Sequence, residues 1–456
     1  MSEREFDVIV VGAGPAGEVL AGRAADHGLE VAVVEQHLIG GECSYYACMP
    51  SKALLRPGEL LAEISRTAGV REMVTGELDP KLVLARRDEV IHDLDDSSQL
   101  PWLESRGIAL LRARGELAGE RTVTAGTDTL QARKAVVIAC GTTAAVPPIE
   151  GLAEAAPWSN REATTAKQVP QRLLILGGGV VGVEMAQAWS SLGSSVTLVE
   201  AEERILVNEE PFAAEEIAAA LAESGVELRT GVKAIAASRG DGAQVSLHLE
   251  DGDELRGDEL LVAVGRRPRT GDLGLETAGV EPGGYLEVDD QMRVGGSDWL
   301  YAIGDVNGRS LLTHMGKYQA RIATDHILGK DVAATEDKAG SPRVVFTDPQ
   351  LAAVGLTLEA AEAAGIKARA VDVSTSGNAG ASYRGRNAPG TSRIVVDEDR
   401  GVIVGASFVG PEIAESLHAA TIAVTAAVPL KRLWHAVPAF PTRNEIWLNL
   451  LEKYGL

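Results

Sequence analysis

The chain has 456 residues, of which 43 are Lys or Arg and 65 are Asp or Glu, so its formal net charge is -22 at pH 7. A chain of this length predicts several domains, because one domain usually holds about 100 to 200 residues. The negative charge repels nucleic acid phosphates and anionic membrane surfaces, and neither is predicted as a partner.

Cysteines occur at only three positions, 43, 48 and 140, which is too few for the disulfide framework of a secreted protein. The first strand-like run begins at Val8, so close to Met1 that no signal peptide is expected. The apolar runs at 136–139 and 173–176 are far shorter than the ~18 residues that a membrane-spanning helix needs. We therefore expect a soluble, cytoplasmic protein.

Residues 6–35 are patterned as a strand, a glycine turn, an alanine-rich helix and a second strand that ends at Glu35, which together form a βαβ unit. Glycine at such a turn lets backbone N–H groups approach a pyrophosphate, and the carboxylate can accept hydrogen bonds from a ribose. A glycine turn by itself can simply allow a helix to pack on a strand. Here the strand, the turn, the helix and the acidic residue all fit a dinucleotide site. The turn residues predicted to bind a dinucleotide are Gly12, Gly14, Pro15, Ala16 and Gly17.

Cys43 and Cys48 follow a Gly40-Gly41 turn, five positions apart. In a regular helix this spacing gives ~7.5 Å of rise, beyond the ~7 Å Cα separation of a disulfide, so the segment is predicted to be distorted. A constrained bridge is more easily reduced, which suits a catalytic pair. Pro50 favours a helix start here, whose positive end would stabilise a Cys48 thiolate.

A second βαβ unit spans residues 172–200 and repeats the glycine spacing. Two dinucleotides are therefore predicted, bound to two parallel, doubly wound sheets that are covered on both faces. The acidic residue at the end of the second strand favours NADH, because it repels the 2′-phosphate of NADPH. Arg204 complicates this preference, although a surface role beside two glutamates is the favoured interpretation. The residues concerned are Gly177, Gly179, Gly182 and Glu200.

The stretch 142–151, rich in proline and small residues, is predicted to be a linker or a crossover, with a domain boundary near residue 150. Beyond Pro342 the pattern changes to strands around Val344, 394–396 and 402–404, with helices at 358–364 and 412–427. This part is predicted to be an α+β domain.

The segment Gly40–Lys52, GGECSYYACMPSK, resembles the redox signature of the dihydrolipoamide dehydrogenase, glutathione reductase and mercuric reductase family. Further family landmarks occur at 139–141, 263–268, 301–305 and 346–355. The resemblance implies an α/β fold with two Rossmann-like domains, for FAD and NAD, and a C-terminal α+β dimerisation domain. The implied boundaries are 1–149 and 271–338 for the FAD-binding domain, 150–270 for the NAD(P)-binding domain and 339–456 for the interface domain.

The resemblance also implies the roles of site residues. Asp305 would bind the flavin ribityl chain, Lys52 would lie at the flavin N5 edge, and Glu184 would pair with Lys52, although a surface pair is the alternative. The catalytic residues implied are Cys43, Cys48, Lys52, Glu184 and Glu445. The FAD-binding residues implied, besides the first glycine turn and Glu35, are Gly41, Glu42, Cys43, Lys52, Gly115, Gly141, Gly304 and Asp305, and Gly265 joins the NAD site. No metal site is predicted.

By the family mechanism, electrons from NADH pass through FAD to Cys48 and open the disulfide, and Cys43 then meets the substrate. The family builds its active site across a homodimer, so Glu445 would serve the partner subunit.

The family's C-terminal His-Pro-Thr-x-x-Glu element is incomplete here, because Phe440 takes the place of the histidine while Glu445 is retained. An alignment anchored on His435 puts Val437 at that place, which also supplies no base. His435 could reach the site from five residues upstream of Phe440, but the favoured interpretation makes it a residue of a helix over 433–437. Without a base, reduction of an ordinary disulfide should be slower by about 10²- to 10⁴-fold.

Three more residues are unusual for the family. Tyr45 and Tyr46 lie inside the redox loop, where they can donate a proton, although packing is the commoner role of an aromatic pair. Cys140 replaces a threonine and is read as a small buried residue.

The favoured hypothesis is an NADH-dependent disulfide oxidoreductase that acts on a disulfide or another thiol-reactive acceptor. The alternatives are a diaphorase that reduces quinones or dyes, a mercuric reductase-like enzyme, and a redox sensor with slow turnover. Mercury is the weaker candidate, because the C-terminal vicinal cysteines of mercuric reductases are absent.

Overall fold

The structure, a computed structural model, describes residues 3–240, 244–337, 340–385, 388 and 390–456. The chain forms two compact units, each built from three segments. The first unit comprises Met1–Pro50, Asp88–Ala145 and Arg266–Lys338, and the second comprises Ser51–Arg87, Val146–Gly265 and Ala339–Leu456. The assignment of separate FAD, NAD and interface domains stays a prediction.

The first unit contains a seven-stranded sheet whose centre is parallel. Its strands, in spatial order, are Ala109–Leu111, Val31–Val34, Glu3–Val11, Asp128–Ile138, Thr122–Ala125 and Gly115–Gly119. A seventh strand, Leu300–Ala302, also pairs in parallel with Asp128–Ile138. The last two strands of the series run antiparallel, which the sequence analysis did not predict.

Both faces of the central strand are buried, because its side chains alternate between two apolar clusters. Val8 and Val10 pack in one cluster with Leu20 and Ala320, whereas Ile9 belongs to the other. This two-sided burial is the predicted property of a doubly wound sheet. The helices that begin in this unit are Pro15–Asp26, Gly41–Tyr45, Cys48–Ser65, Leu100–Glu104 and Thr313–Ile327.

The predicted linker at 142–151 begins instead with a short strand, Thr142–Ala144. This strand pairs antiparallel with Arg266–Pro268, so it belongs to the first unit. The pairing joins positions far apart in the chain, which the local composition cannot reveal.

The second unit contains a four-stranded parallel sheet, as predicted, together with a three-stranded antiparallel sheet. The parallel strands, in spatial order, are Glu227–Arg229, Ser195–Val199, Arg172–Leu176 and Glu259–Val262, and the antiparallel ones are Ala234–Arg239, Val245–Leu249 and Glu254–Gly257. The associated helices are Pro80–Val90, Asn160–Thr165, Val180–Ser191 and Pro211–Glu223.

The C-terminal part of the second unit is an α+β arrangement, as predicted. Its five antiparallel strands, in spatial order, are Arg343–Val345, Gln350–Gly355, Val402–Gly410, Thr391–Asp397 and Ala368–Ser374. Its helices are Leu358–Ala363, Ala379–Ser382, Leu417–Thr425, Leu430–Leu433 and Glu445–Tyr454. The helix predicted over 412–427 is shorter than expected, because a 3-10 turn, Ile413–Ser416, precedes it.

Across the described residues, every helix is too short or too polar to cross a bilayer.

Candidate active site

The glycine turn after the first strand leaves space in front of a helix N-terminus. Gly12 has a φ of 108°, and a Cβ there would lie 2.5 Å from the carbonyl oxygen of Ala139. At Gly14, which precedes the helix Pro15–Asp26, no atom lies within 4 Å of the place that a Cβ would take. A Cβ would therefore fill the space through which a phosphate can approach the backbone N–H groups.

Glu35 and Gly41 lie against this turn. The buried Glu35 carboxylate accepts hydrogen bonds of 2.7 Å from the backbone N–H groups of Ala13 and His37. A Cβ at Gly41 would lie 2.8 Å from Cα of Gly14. The first glycine turn, its acidic residue and the start of the redox loop are thus brought together, as the sequence analysis expected of a single site.

The second glycine turn repeats the first. Gly177 has a φ of 111°, and its Cβ would lie 2.5 Å from the carbonyl oxygen of Ala263. Gly179 precedes the helix Val180–Ser191 and is as open as Gly14. A Cβ at Gly182 would lie 1.9 Å from the carbonyl oxygen of Gly177, so helix and turn touch at glycine.

Glu200 directly follows the strand Ser195–Val199. Its carboxylate accepts hydrogen bonds from the backbone N–H groups of Gly178, at 2.5 Å, and Glu202, at 2.9 Å. Arg204 donates to the backbone carbonyls of Leu206 and Val207, at 3.1 and 2.8 Å. The Arg204 guanidinium therefore binds carbonyl groups of its own loop. This agrees with the favoured interpretation, in which Arg204 has a surface role.

The remaining predicted glycines adopt backbone conformations or close contacts that favour glycine. Gly141, Gly265 and Gly304 have φ angles of 68°, 131° and 75°, in the left-handed region that L side chains rarely adopt. A Cβ at Gly115 would lie 3.0 Å from a methyl group of Val11.

Cys43 and Cys48 lie on two helical segments with a break between them, as the sequence analysis predicted. Cys43 is on the short helix Gly41–Tyr45, and Cys48 begins the helix Cys48–Ser65. Tyr46, between them, has a φ of -135°, which is not helical. The break brings the two thiols together, and both are present as free thiols.

The two thiols interact with each other and with one hydroxyl. A hydrogen bond with Cys48, followed by burial, raises the pKa of the Cys43 thiol above its ordinary value. A hydrogen bond with Thr313 and the charge of Lys317 oppose this rise. The Cys48 sulfur lies 3.5 Å from the Thr313 hydroxyl oxygen. Thr313 was not predicted as a site residue, because it follows the cysteines by more than 260 positions and no local pattern connects them.

Asp305 lies in a 3-10 turn, Gly304–Asn307, and is connected to the redox loop through side chains. Burial raises the pKa of Asp305, and a 3.0 Å hydrogen bond from the Thr142 hydroxyl opposes this. Arg266 donates to the Thr142 hydroxyl at 2.6 Å and to Glu42 at 2.6 Å.

A second guanidinium also binds Glu42. Arg269 donates to its other carboxylate oxygen at 2.8 Å. Glu42 was predicted as an FAD-binding residue without a partner. The family landmark at 263–268 contains Arg266, and Arg269 follows it directly.

Lys52 and Glu184 form an ion pair of 2.7 Å, as the family resemblance implied. The Glu184 side chain is only 4% exposed, and its other oxygen accepts a 3.0 Å hydrogen bond from the backbone N–H of Phe346. The Lys52 ammonium lies 4.6 Å from the centroid of the Phe346 ring. Because the Glu184 side chain is buried, this ion pair is not the surface pair that was the alternative interpretation.

The C-terminal segment places Phe440 in solvent, with 77% of its surface exposed. Glu445 begins the helix Glu445–Tyr454 and accepts a 3.1 Å hydrogen bond from the backbone N–H of Gly380. His435 is also exposed, but it is not on a helix as expected, because the helix Leu430–Leu433 ends before it.

Tyr45 is buried, as its packing interpretation predicted, whereas Tyr46 and Cys140 are half-buried. Tyr45 is 2% exposed, burial raises its pKa to about 12, and its ring lies 6.5 Å from that of Tyr46. The Cys140 thiol donates to the carbonyl oxygen of Arg269 at 3.3 Å, and desolvation raises its pKa to about 12. Neither Tyr45 nor Cys140 ionises near neutral pH.

Comparison with known families agrees with this geometry. Residues 6–324 match the family described as pyridine nucleotide-disulphide oxidoreductase, and residues 341–450 match its dimerisation domain. The chain belongs to the pyridine nucleotide-disulphide oxidoreductase family. As a member of this family it is a flavin-dependent oxidoreductase, it is expected to bind FAD and a pyridine nucleotide, and its dimerisation domain indicates a homodimer.

Individual oxidoreductases of the family resemble this one over nearly their whole length. A dihydrolipoyl dehydrogenase of Haloferax volcanii is 31% identical over 98% of this chain and 96% of its own. A mercuric reductase of Staphylococcus aureus is 30% identical over 97% of this chain and 81% of its own. The structure of the HOCl-induced flavoprotein disulfide reductase RclA from Escherichia coli, in a Cu(II) complex, superimposes with a TM-score of 0.86 at 26% identity, over 98% of this chain and 99% of its own.

The residues of the first unit fit FAD. The open position at Gly14 gives a pyrophosphate access to a helix N-terminus, and the Glu35 carboxylate beside it can accept from ribose hydroxyls. Asp305 adds a half-buried carboxyl group that accepts a hydrogen bond from Thr142 and can accept another from a hydroxyl of the cofactor.

Proposed function

We propose that this oxidoreductase passes two electrons from NADH through FAD to the Cys43–Cys48 pair and on to a disulfide or another thiol-reactive acceptor. The observation that supports this proposal most directly is the contact between the two thiols, which occurs although a regular helix would hold them apart. FAD, when bound, supplies the electron transfer between nicotinamide and sulfur.

The two thiols have different roles in this proposal. The hydrogen bond with Cys48 raises the pKa of Cys43. By the family mechanism, Cys48 is the thiol that exchanges electrons with the flavin. Cys43 attacks the acceptor disulfide as a thiolate and forms a mixed disulfide, which releases one product thiol. Attack by Cys48 on Cys43 then releases the second product and restores the disulfide.

Lys52 and Glu184 hold a positive charge in place within the second unit. The buried Glu184 carboxylate fixes the Lys52 ammonium, and the Phe346 backbone and ring fix both. We propose that this fixed ammonium favours negative charge at the flavin edge. Glu445 is proposed to act at the site of the partner subunit, as the family arrangement implies.

The proposed preference for NADH rests on Glu200. Its carboxylate is held by two backbone N–H groups, while Arg204 is bonded to loop carbonyls. A 2′-phosphate would therefore meet a fixed negative charge and no free arginine at this position. In Glu200→Gln we expect the ratio of kcat/KM for NADPH to that for NADH to rise by about tenfold or more. An unchanged ratio would contradict the proposal.

The class of electron acceptor is tested with a variant of Cys43, the cysteine that is proposed to react with it. Cys43→Ser should abolish NADH-dependent reduction of lipoamide and small disulfides, because no thiol remains to form the mixed disulfide. Reduction of quinones should persist in this variant if electrons can leave directly from the flavin. Retained disulfide reduction in Cys43→Ser would overturn the proposal, and wild-type activity with quinones alone would support the diaphorase.

A second candidate acceptor is a thiophilic metal ion. Phe440 supplies no base, and a metal ion reduced between two thiolates needs no proton for a leaving thiol. The proteins that this chain resembles include a mercuric reductase and a disulfide reductase solved as a Cu(II) complex. Two electrons from NADH would reduce one Hg(II) or two Cu(II). The test is anaerobic NADH oxidation with either ion, which must be lost in Cys43→Ser.

A further inference from the structure

Two guanidinium groups bind a single carboxylate beside the first glycine turn. Arg266 and Arg269 donate to different oxygens of Glu42, at 2.6 and 2.8 Å. The Glu42 side chain is 17% exposed, and the two arginine side chains are 23% and 26% exposed. Water therefore screens these charges less than it screens an ion pair on the open surface. The charge of Glu42 is balanced mainly by the two arginines.

Glu42 lies next to the place where a phosphate can approach the backbone. It follows Gly41, where a Cβ would lie 2.8 Å from Cα of Gly14. Gly14 directly precedes the helix Pro15–Asp26, whose N-terminus favours negative charge in a ligand. A carboxylate at position 42 opposes this preference, because it repels the same ligand charge.

Two further carboxylates lie at the same turn. Glu35 accepts a 2.7 Å hydrogen bond from the backbone N–H of Ala13. Asp305 follows Gly304, where a Cβ would lie 3.3 Å from Cβ of Ala16. A turn that is to bind the negatively charged pyrophosphate of FAD is thus surrounded by acidic side chains. Their repulsion has to be offset by positive charge before the pyrophosphate can bind.

Arg269 is held beside the turn by its own backbone. Its N–H donates to the carbonyl oxygen of Gly141 at 3.1 Å, and its carbonyl oxygen accepts from the Cys140 thiol at 3.3 Å. The residues before Gly141 lie against the turn, since a Cβ at Gly12 would lie 2.5 Å from the carbonyl oxygen of Ala139. Short contacts therefore fix the position of Arg269 relative to the glycine turn.

We propose that Arg269, together with Arg266, neutralises Glu42 and so allows the first glycine turn to bind the pyrophosphate of FAD. Arg266 also lies 3.9 Å from the Asp305 carboxylate. One guanidinium is therefore shared between two carboxylates, and the second is needed to balance the charge. The inference rests on the binding of FAD to the first unit in the proposed function. Arg269 is a positioning residue, because it acts on the cofactor through Glu42.

Neutralisation and a purely structural tie give different patterns of variant effects. If the pair only ties the redox loop to residue 269, loss of either partner weakens FAD binding in the same way. If Arg269 neutralises Glu42, loss of the arginine leaves an unbalanced negative charge beside the phosphates. Loss of the carboxylate leaves no such charge, so it should not weaken binding.

The test measures the dissociation constant of FAD by dilution of the purified holoenzyme, with free FAD separated by ultrafiltration and quantified by fluorescence. Arg269→Met should raise this constant about tenfold or more, because like charges are brought together. Glu42→Gln should bind FAD at least as tightly as the wild type. The double variant Glu42→Gln/Arg269→Met should recover most of the loss. Arg269→Lys keeps the charge and should bind FAD nearly as tightly as the wild type.

The matched control is Arg133→Met, which removes the same charge from an ion pair with Asp7. Asp7 precedes Gly12 by five positions, which corresponds to about 16 Å along a strand, so the dissociation constant should not change. An unchanged constant in Arg269→Met, or equal and additive losses in Arg269→Met and Glu42→Gln, would overturn the inference. Failure of the proposed function is distinguishable, because it appears as wild-type protein without flavin or as disulfide reduction that survives Cys43→Ser.

Discussion

Glu18 is a carboxyl whose burial costs stability when it ionises. Burial raises its pKa from the ordinary value of 4.5 to about 7, so the folded protein favours the neutral form. The preference of the folded protein for the protonated form stabilises it fully below pH 4.5. This stabilisation is lost as the pH rises through 7. Glu18→Gln should therefore stabilise the protein at pH 8, by up to about 3 kcal/mol, and change little at pH 4.5.

The measurement for Glu18 is the urea midpoint of unfolding at both pH values. Glu30→Gln, which alters an exposed carboxylate, is the control. An equal change in the midpoint of Glu18→Gln at both pH values would contradict the prediction, because only an ionisation gives a difference between them.

The Lys52–Glu184 ion pair predicts that substitutions at the two positions have non-additive effects on the free energy of unfolding. Glu184 is buried, so Lys52→Met leaves a carboxylate whose remaining partner, among the residues that the structure describes, is the Phe346 N–H. We expect this single substitution to cost about 3 kcal/mol. The double variant Lys52→Met/Glu184→Met should cost less than the single one, since no charge remains buried. The check is a double-mutant cycle from denaturation midpoints, and simple additivity would contradict it.

The sequence predicted the contacts of some single residues but not of others. The pair Lys52–Glu184 followed from motif positions in the family. Arg266 and Arg269 reach Glu42 across more than 220 positions, and no local pattern records a contact of that separation. Their pairing depends on the short antiparallel strands that bring residues 142–144 and 266–268 together.

At the scale of elements, the two glycine turns allow a matched pair of substitutions. Gly12 and Gly177 have similar positive φ angles, and a Cβ at either would lie 2.5 Å from a backbone oxygen. Gly12→Ala should therefore yield protein with little bound flavin. Gly177→Ala should keep its flavin and bind NADH at least about tenfold more weakly. Flavin absorbance and NADH titration measure the two effects, and loss of flavin in both variants would contradict the assignment of separate sites.

The elements with strong local signals could be predicted from the sequence. Both βαβ units and three of the five C-terminal strands follow from apolar periodicity and glycine spacing, and the distorted redox loop follows from the spacing of the two cysteines. The strands Gln350–Gly355 and Ala368–Ser374 were not predicted. The antiparallel strands Gly115–Gly119 and Thr122–Ala125 and the three-stranded sheet at 234–257 carry no such signature. Buried and exposed side chains alternate along these strands, but each strand is short and of mixed polarity. Periodicity alone cannot distinguish such segments from turns.

For the whole molecule, the dimerisation domain makes the oligomeric state part of the mechanism. We expect light scattering to give twice the chain mass of 47.8 kDa. Phe440 is 77% exposed in the single chain, and a large apolar side chain in that setting suits a subunit interface. A mass near that of one chain at micromolar concentration would remove the basis for a site shared by two subunits.

The shared site also predicts a gain of function. Phe440→His would restore the imidazole at the position where the family carries its base, and Glu445 remains to orient it. Disulfide reduction should then rise by about tenfold or more, since general acid-base catalysis contributes about 10²- to 10⁴-fold. Quinone reduction should not change, because it needs no proton transfer to a leaving thiol. Phe440→Gln is the control that removes the ring without adding a base, and Glu445→Gln should cancel the gain. Equal disulfide kcat/KM for Phe440→His and Phe440→Gln would show that proton transfer at this position does not limit the enzyme.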